Sequence, residues 1–314
     1  MELAARQTEA PLSVILNASA GTAGAEKLPD RLRELLGGEG PEPRVLSAES
    51  GEDVVRMARE EIARGARTVV AAGGDGTVNA VASVLVETDC VLAVLPLGTL
   101  NHFARDLGIP NDLEAAARIV REGSERSVDV AEVNGKIFLN NSSLGLYPTI
   151  VRHREEQQQR LGRGKWFALF WATFRVLLRH HSVMVRLRLG ESERVLRTPI
   201  LFVGNNEYEM EGFEIGQRRR LDAGELWVYL TKRPGFWAHI RLAVRAIFGH
   251  LHEDRDFEAF RVRETTIETR RPRVHVATDG EVRTLDSPLR YRIRPGALRV
   301  RAPAAAPDGG PEAG

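Results

Sequence analysis

The stretch RTVVAAGGDGTVNA, residues 67–80, joins an apolar run to a helical pattern through a turn of three glycines, one aspartate and one threonine. The apolar run is continuous rather than alternating, as in a strand that is buried on both faces. Glycines let backbone N–H groups approach an anion closely, and a helix N-terminus adds unpaired donors. The stretch therefore predicts a strand, a phosphate-binding turn and a helix. An ordinary strand-to-helix turn is the alternative.

Two common phosphate loops do not fit this turn. A P-loop needs G-x-x-x-x-G-K-[ST], and no lysine of the chain lies in that setting. A dinucleotide-binding turn needs a third glycine where Asn79 stands. Asp75 would repel a bare phosphate, so its presence favours a divalent cation between the carboxylate and the phosphate. We therefore predict that Asp75 binds Mg²⁺ beside a phosphate group.

Strand and helix patterns alternate on both sides of the turn. Such alternation predicts βαβ units and a parallel sheet that is covered by helices on both faces. Ligands of such sheets bind outside the carboxyl ends of the strands. The predicted strands are 12–17, 43–48, 67–74 and 89–101, and the predicted helices are 25–38, 51–65, 77–88 and 112–123.

From about Val130 the pattern changes to short alternating strands. Asn134-Gly135 stands between two of them, and an Asn-Gly pair favours a tight hairpin turn. Two helical segments, 165–181 and 236–252, interrupt the strands. The second half is therefore predicted to be mainly antiparallel β.

These patterns predict an α/β plus mainly-β protein. We expect a three-layer parallel-sheet domain over residues 1–130 and an antiparallel β-sandwich-like domain over 131–302. The final strand of the second domain can return to the first. Residues 303–314 are rich in Ala, Pro and Gly, and we expect a disordered tail.

The composition is that of a soluble globular protein, with 43% hydrophobic and 28% charged residues. The formal net charge of +1 argues against nucleic acid as a partner. Cys90 is the only cysteine, and no apolar run reaches the roughly 18 residues that a membrane span needs. Because the N-terminus also lacks a leader pattern, we expect a cytoplasmic protein that can contact the inner face of the membrane.

A second turn of small residues, PLGTLNHFARDLGIP (96–110), follows the fourth predicted strand, at the same sheet edge as the first turn. Together with GGDGTVN (73–79), it resembles the catalytic domain of the diacylglycerol kinase and lipid kinase superfamily. That superfamily includes sphingosine and ceramide kinases, with NAD kinases as more distant relatives. Further blocks recur in the order of the soluble bacterial members: NNSSLG (140–145), FVGNNEYEMEGFEIG (202–216), LDAGELWVYL (221–230) and ATDGEV (277–282).

The resemblance implies that residues 1–130 form a nucleotide-binding domain and that the active-site cleft lies between the two domains. Thr99 and Asn101 match the second nucleotide-contacting turn, and Ser47 matches a hydroxyl residue near the nucleotide. Asn17 matches an asparagine that follows the first strand, although the usual Asn-Pro is Asn-Ala here. The implied phosphate loop comprises Gly73, Gly74, Asp75, Gly76, Thr77, Val78 and Asn79.

The resemblance also implies a general base and a second metal site. Asp279 matches the proposed base of the family, and an ordinary β-turn aspartate is the alternative. Asp222 belongs to a block in which relatives carry an acidic pair that binds a structural Mg²⁺, but Ala223 replaces one acid here. We expect Asp75 to hold Mg²⁺ and Asp279 to face the acceptor. An Asp279→Asn change should keep the hydrogen bonds of the turn, because the amide has the same shape.

The implied activity is ATP-dependent phosphorylation of a lipid hydroxyl, with diacylglycerol or a related glycerolipid as the first expectation. A sphingoid-base kinase, an enzyme like NAD kinase and a nucleotide-sensing protein that has lost activity are the alternatives. The helical segment 236–252, with Trp237, Arg241 and Arg245, could lie on an anionic membrane or wall an acyl pocket, as could 165–181. Plain packing on the β domain is the alternative for both segments. The sequence leaves a homodimer open.

Overall fold

The computed structural model describes residues 12–17, 27–38, 41–145, 183–189, 192–198, 200–208, 210–211, 214–215, 218, 220–231 and 257–304. The helical segments predicted at 165–181 and 236–252 lie outside this part of the chain, as do residues 305–314 of the predicted tail. The chain divides into two compact units, one of Met1–Val128 with Gly296–Gly314 and the other of Asp129–Pro295.

The first unit alternates strands and helices. Two long strands, β5 (Ser124–Val133) and β18 (Leu289–Ala302), have residues in both units. The other elements of the first unit are β1 (Ser13–Asn17), α1 (Leu28–Leu36), β2 (Arg44–Ala48), α2 (Gly51–Ala63), β3 (Thr68–Gly73), α3 (Asp75–Leu85), β4 (Val91–Pro96), α4 (His102–Asp106) and α5 (Leu113–Glu122).

Parallel pairing gives the strand order β2-β1-β3-β4. The end of β18 extends this sheet, because Arg299 and Val300 pair in parallel with Val91 and Leu92 of β4. Strands β3 and β4 are buried along their whole length, as their continuous apolar sequences predict. Helix α1 packs on α5, and α2 packs on α3, so helices cover both faces of the sheet. The predicted parallel-sheet domain is confirmed.

Helix starts follow local chemistry. Helix α2 begins after Ser50, whose hydroxyl accepts a hydrogen bond from the Asp53 N–H at 3.1 Å. Helix α3 begins at Asp75, two residues before the predicted start, so the glycine turn forms the first turn of the helix. The short α4 has no counterpart in the sequence prediction, because five residues cannot show a helical period.

The second unit is built from antiparallel strands. They are β6 (Lys136–Phe138), β7 (Asn141–Gly145), β8 (Val183–Leu189), β9 (Ser192–Thr198), β10 (Ile200–Asn205), β11 (Met210–Glu211), β12 (Glu214–Ile215), β13 (Leu226–Thr231), β14 (Phe257–Val262), β15 (Glu264–Thr269), β16 (Arg273–Thr278) and β17 (Glu281–Asp286).

Two sheets of this unit pack face to face. One has the order β14-β13-β10-β7-β16-β17 and is antiparallel throughout. In the other, β9, β8, β15 and the first half of β18 are antiparallel neighbours. A single apolar core joins them, with Val203 and Val228 from the first sheet and Val185 and Ile267 from the second. The predicted antiparallel β-sandwich is confirmed.

Two hairpins of this unit turn on a pair of residues with positive φ. Asn134-Gly135 joins β5 to β6 with φ of 47° and 77°, and Asp279-Gly280 joins β16 to β17 with φ of 48° and 84°. Positive φ at both central positions is the geometry of a type I′ turn, which matches the twist of antiparallel strands. The hairpin predicted from Asn134-Gly135 is therefore confirmed, and Asp279 lies in a turn at the end of β16.

Candidate active site

The predicted nucleotide residues lie at the carboxyl ends of the parallel strands. The strand order reverses direction between β1 and β3, and open α/β sheets bind ligands at such a switch point. Asn17 ends β1, Gly73 ends β3, and the preceding residues Leu16 and Ala72 pair directly. Ser47 is exposed and lies opposite Leu16 near the end of β2. The fold of the first unit therefore brings these residues to one edge.

The glycine turn is closed by a buried threonine. The Thr77 hydroxyl accepts a hydrogen bond from the side-chain amide of Asn17 at 3.0 Å. A Cβ on Gly73 would lie 2.5 Å from the Thr77 hydroxyl oxygen, so glycine is needed there. Val78 is buried beneath the turn, Asn79 is half-buried, and Gly76 is exposed. The first N–H groups of α3 have no partner within the helix, and they give this edge a positive dipole end.

The Asp75 carboxylate connects the first turn to the second. Asp75 is half-buried at the start of α3, and its Oδ1 accepts a hydrogen bond from the Phe103 N–H, in the first turn of α4, at 3.2 Å. The carboxylate therefore has a structural partner besides any cation. Sequence reasoning missed this bond because a backbone N–H donor leaves no mark in the sequence.

The second turn packs closely on the first. A Cβ on Gly98 would lie 2.5 Å from the Gly74 Cα. Asn101 has φ 50°, is 4% exposed and closes the turn by accepting the Gly98 N–H at 3.0 Å and donating to the Gly98 carbonyl at 2.8 Å. The same amide group donates to Asn111 Oδ1 at 3.2 Å. The Asn101 side chain thus holds the turn in place, and Thr99 is its exposed hydroxyl residue.

Gly98→Ala is expected to lower the free energy of unfolding by about 1–3 kcal/mol, because the new methyl group forces two backbone segments apart. The matched control is Gly51→Ala at the start of α2, where no atom lies within 4 Å of an added Cβ. Chemical denaturation of both variants measures the difference. Equal stability of the two variants would contradict the close approach of the turns.

In the second unit, polar residues gather at one edge of the six-stranded sheet. Strand β7 begins there, β10 ends there, and β16 ends just before Asp279. The Asp279 carboxylate accepts three backbone hydrogen bonds: Oδ2 from the Leu139 N–H at 2.7 Å, and Oδ1 from the N–H groups of Asn140 at 2.8 Å and Asn141 at 3.1 Å. We call residues 139–141 the strap. The Asp279 N–H donates in return to the Asn141 carbonyl at 2.9 Å.

This geometry shows that one expectation from the sequence is wrong. An asparagine at position 279 would not keep the hydrogen bonds of the turn, because an amide has one acceptor oxygen and one NH₂ donor. The carboxylate uses both oxygens to accept N–H groups. In Asp279→Asn the NH₂ group would face at least one N–H of the strap.

Asp222 precedes β13 in the second unit. Its side chain is 57% exposed and forms an ion pair with Arg220 at 3.0 Å. In the same loop, the Gly224 N–H donates at 2.6 Å to the carboxylate of Asp129, which is buried. Within the described ranges, no group of three or more Asp, Glu, His or Cys side chains is arranged to hold a metal ion.

Comparison with known proteins identifies both units. Residues 11–133 match the diacylglycerol kinase catalytic domain, and residues 148–302 match the YegS C-terminal NAD kinase beta sandwich-like domain. A protein of Pseudomonas syringae pv. syringae named "probable lipid kinase YegS-like" is 31% identical over 267 residues, which cover 83% of this chain and 84% of that protein. The chain belongs to the YegS-like lipid kinase family. It is therefore a phosphotransferase.

Other relatives agree with this membership. A Pseudomonas aeruginosa protein with the same name is 31% identical over 264 residues, covering 81% of this chain and 83% of that protein. A crystal structure of a candidate diacylglycerol kinase from Bacillus anthracis str. Sterne has a TM-score of 0.78 at 23% identity, covering 97% of this YegS-like chain and 99% of that chain. A diacylglycerol kinase structure from the same organism has a TM-score of 0.69 at 22% identity, and the match covers 94% of this chain and 97% of that chain. The two structures show that the fold is shared.

The described part of this YegS-like chain contains no helix whose length and apolar character would let it cross a membrane. The helical segments 165–181 and 236–252, for which membrane contact, an acyl pocket and plain packing are the alternatives, lie outside that part, and so do Trp237, Arg241 and Arg245.

Proposed function

We propose that this lipid kinase transfers the γ-phosphoryl group of ATP to the hydroxyl of a membrane lipid, with diacylglycerol or a related glycerolipid as the first candidate. The observation that carries the proposal is the pair of glycine turns at the switch point of the first unit. Gly74 and Gly98 meet without side chains between them, and α3 begins beside them at Asp75. The first N–H groups of a helix have no partner within the helix. A triphosphate needs such donors and a backbone that it can approach closely.

We assign the residues of this edge to two roles. Residues 73–79 hold the phosphates, with the backbone N–H groups that precede Val78 as donors, because the Val78 N–H already donates to the Gly74 carbonyl at 3.1 Å. Thr99 and Ser47 are exposed hydroxyl residues for the nucleotide. Asn17 and Asn101 act through their neighbours, because their side-chain amides bind Thr77 and Gly98. In this assignment the two asparagines shape the nucleotide site.

The residues fit Mg²⁺ that arrives with ATP. Mg²⁺ is usually held by one or two carboxylates together with substrate phosphates, rather than by a cage of protein ligands. Asp75 supplies one carboxylate at the phosphate turn. When bound, the ion would neutralise charge on the β- and γ-phosphates. Asp222, which is paired with Arg220, is the proposed ligand of a separate structural Mg²⁺.

Asp279 is the proposed general base. The oxygen of the acceptor hydroxyl bonds to the γ-phosphorus as the bond to ADP breaks, and the hydroxyl proton passes to the Asp279 carboxylate. Such a base must hold its orientation while the acceptor binds. The three N–H donors of the strap support the assignment, because they bind both carboxylate oxygens.

The proposal and its alternatives differ in the molecule that receives the phosphoryl group. The alternatives are a sphingoid-base kinase, an enzyme like NAD kinase, and a nucleotide-sensing protein that transfers no phosphoryl group. The match of the second unit to an NAD kinase beta sandwich-like domain gives the second alternative its support. A lipid acceptor would also require peripheral contact with the inner face of the membrane.

The experiment that tests the proposal offers several acceptors side by side. The full chain is incubated with radiolabelled ATP and Mg²⁺, and with mixed micelles of diacylglycerol, ceramide or sphingosine, or with NAD⁺ in solution. We expect label in diacylglycerol and none when the Asp75→Asn variant replaces the wild type. Label in sphingosine or NAD⁺ alone would assign the alternative acceptor. ATP binding without any labelled product would indicate a binding protein.

A further inference from the structure

We propose that Arg218 is a positioning residue for the general base and acts on Asp279 through a single peptide group of the strap. The inference rests on the proposed function, in which Asp279 takes the proton of the acceptor. Sequence reasoning gave Arg218 no role, because QRRRLD (217–222) is typical of a charged surface run.

The structure places the Arg218 guanidinium in the interior of the second unit, where the residue is 4% exposed. Its Nη1 donates to the Leu139 carbonyl at 2.6 Å and to the Asn205 carbonyl at 2.9 Å. Its Nη2 donates to Asn140 Oδ1 at 2.9 Å. The guanidinium carbon lies 5.5 Å from the centre of the Tyr208 ring. Two of these three acceptors belong to the strap that binds Asp279.

The peptide group between Leu139 and Asn140 therefore lies between opposite charges. Its carbonyl accepts a hydrogen bond from Arg218 at 2.6 Å, and its N–H donates to Asp279 Oδ1 at 2.8 Å. A peptide dipole has its positive end at the N–H. A cation at the carbonyl polarises the group further, and hydrogen bonds in a chain strengthen one another in this way. The charge of Arg218 thus makes the Asn140 N–H a stronger donor to Asp279.

The charge of Arg218 adds to what a neutral donor could do. The Asn205 amide also donates to the Leu139 carbonyl, at 2.8 Å. A guanidinium at the same carbonyl brings a positive charge as well, and it lies across one peptide group from the Asp279 carboxylate. Opposite charges in a protein interior stabilise each other when they are held this close.

Removing the charge should weaken the hold of the strap on the base. In Arg218→Met the side-chain volume is largely kept, but the Leu139 carbonyl keeps only its bond from Asn205. We expect kcat to fall about 10- to 100-fold while KM for ATP stays within about two-fold, because a misplaced base slows the chemical step alone. Arg218→Lys keeps the charge, and we expect it to recover at least half of that loss on a logarithmic scale.

The matched control is Arg283→Met, the same substitution at an exposed arginine that follows the Asp279 turn on β17 and pairs with Glu281. We expect it to keep wild-type kcat. Equal losses of kcat in Arg218→Met and Arg283→Met would overturn the positioning role. So would a loss of kcat in Arg218→Met that accompanies a lower unfolding temperature and is not recovered in Arg218→Lys.

The double variant tests whether Arg218 acts through Asp279. If it does, adding Arg218→Met to Asp279→Asn should lower kcat by less than about two-fold further, because residues that act as a unit are not additive. A loss in the double variant that equals the product of the single losses would place the effect of Arg218 elsewhere.

Hydrogen exchange gives a reading that does not need enzyme activity. We expect the amides of residues 139–141 to exchange faster in Arg218→Met, while those of β3 and β4 in the first unit are unchanged. Unchanged strap exchange would overturn the inference, whether or not a lipid is phosphorylated. Faster exchange would support it even if no acceptor is found, in which case the proposed function alone fails. If Arg218→Met does not fold, Arg218→Gln replaces it in this measurement, because glutamine also lacks the charge but keeps a hydrogen-bond donor.

Discussion

Asp279→Asn is expected to slow lipid phosphorylation by about 10²- to 10⁴-fold, because the base that takes the hydroxyl proton is lost. The Kd for ATP should stay within about two-fold of wild type, since the proposed nucleotide residues belong to the first unit. Single-turnover phosphorylation measures the chemical step, and ATP titration measures the affinity. A variant with near-normal turnover would contradict the assignment of Asp279 as the base.

The strap makes a stability control necessary for this variant. The amide NH₂ of Asp279→Asn would face an N–H donor, and an unmatched polar group of this kind costs about 1–3 kcal/mol. The matched control is Asp286→Asn, the same substitution at the end of β17, where the side chain is 81% exposed. Thermal unfolding of both variants separates lost structure from lost chemistry. We expect Asp279→Asn to remain folded at the assay temperature and Asp286→Asn to keep wild-type turnover.

Asp75→Ala is expected to abolish turnover and to weaken binding of Mg·ATP, because it removes the proposed cation ligand from the phosphate turn. The variant also removes the acceptor for the Phe103 N–H, so part of its effect is structural. Asp75→Asn distinguishes the two effects, since its side-chain oxygen can still accept from Phe103 while its charge is gone. Titration of ATP with and without Mg²⁺ measures the difference for both variants.

The control for Asp75 is Asp53→Asn, at a half-buried aspartate in the first turn of α2. It should bind Mg·ATP as wild type does. If Asp75→Asn binds Mg·ATP normally, the metal role is wrong. If that variant is also inactive while Asp279→Asn turns over, the base is Asp75 and the site works more like that of an NAD kinase.

The fold of the first unit could be predicted well from sequence because its signals are local. The continuous apolar residues of β3 and β4 and the regular spacing of helices fix a parallel sheet with two covered faces. Boundaries were less predictable. The apolar pattern of α3 starts at Thr77, but the backbone is already helical from Asp75. Asp75 and Gly76 carry no apolar side chain, so the pattern could not show that they belong to the helix.

The positions of Asn17, Ser47 and Gly73 at one edge were also predictable, because parallel strands place their carboxyl ends together. Their immediate partners were not. The contact of Gly74 with Gly98 and the bond of Asp75 to Phe103 depend on how two turns meet in space. Neither turn contains that information by itself.

In the second unit, the partners of the candidate site residues were even harder to predict from sequence. The DGE block marked Asp279, but its three partners are backbone N–H groups about 140 residues away in the chain. Backbone donors are the same for every residue type except proline, so no motif reports them. Arg218 was hidden for a related reason, since a buried arginine and a surface arginine look alike in a basic run.

The last strand has a consequence for biosynthesis. The catalytic-domain match ends at residue 133, yet Leu298, Val300 and Ala302 are fully buried in the first unit, and the Glu87 N–H donates to the Ala297 carbonyl at 2.9 Å. Arg301 and Arg299 also bind Glu125, and the hydrogen bond from Arg301 lowers the pKa of that carboxyl group. A ribosome makes these residues only after it has synthesised the whole second unit. The first unit therefore begins its sheet before the second unit is made and completes it afterwards. A truncated gene that encodes only the matched domain would leave the open edge of β4 free to pair with another chain.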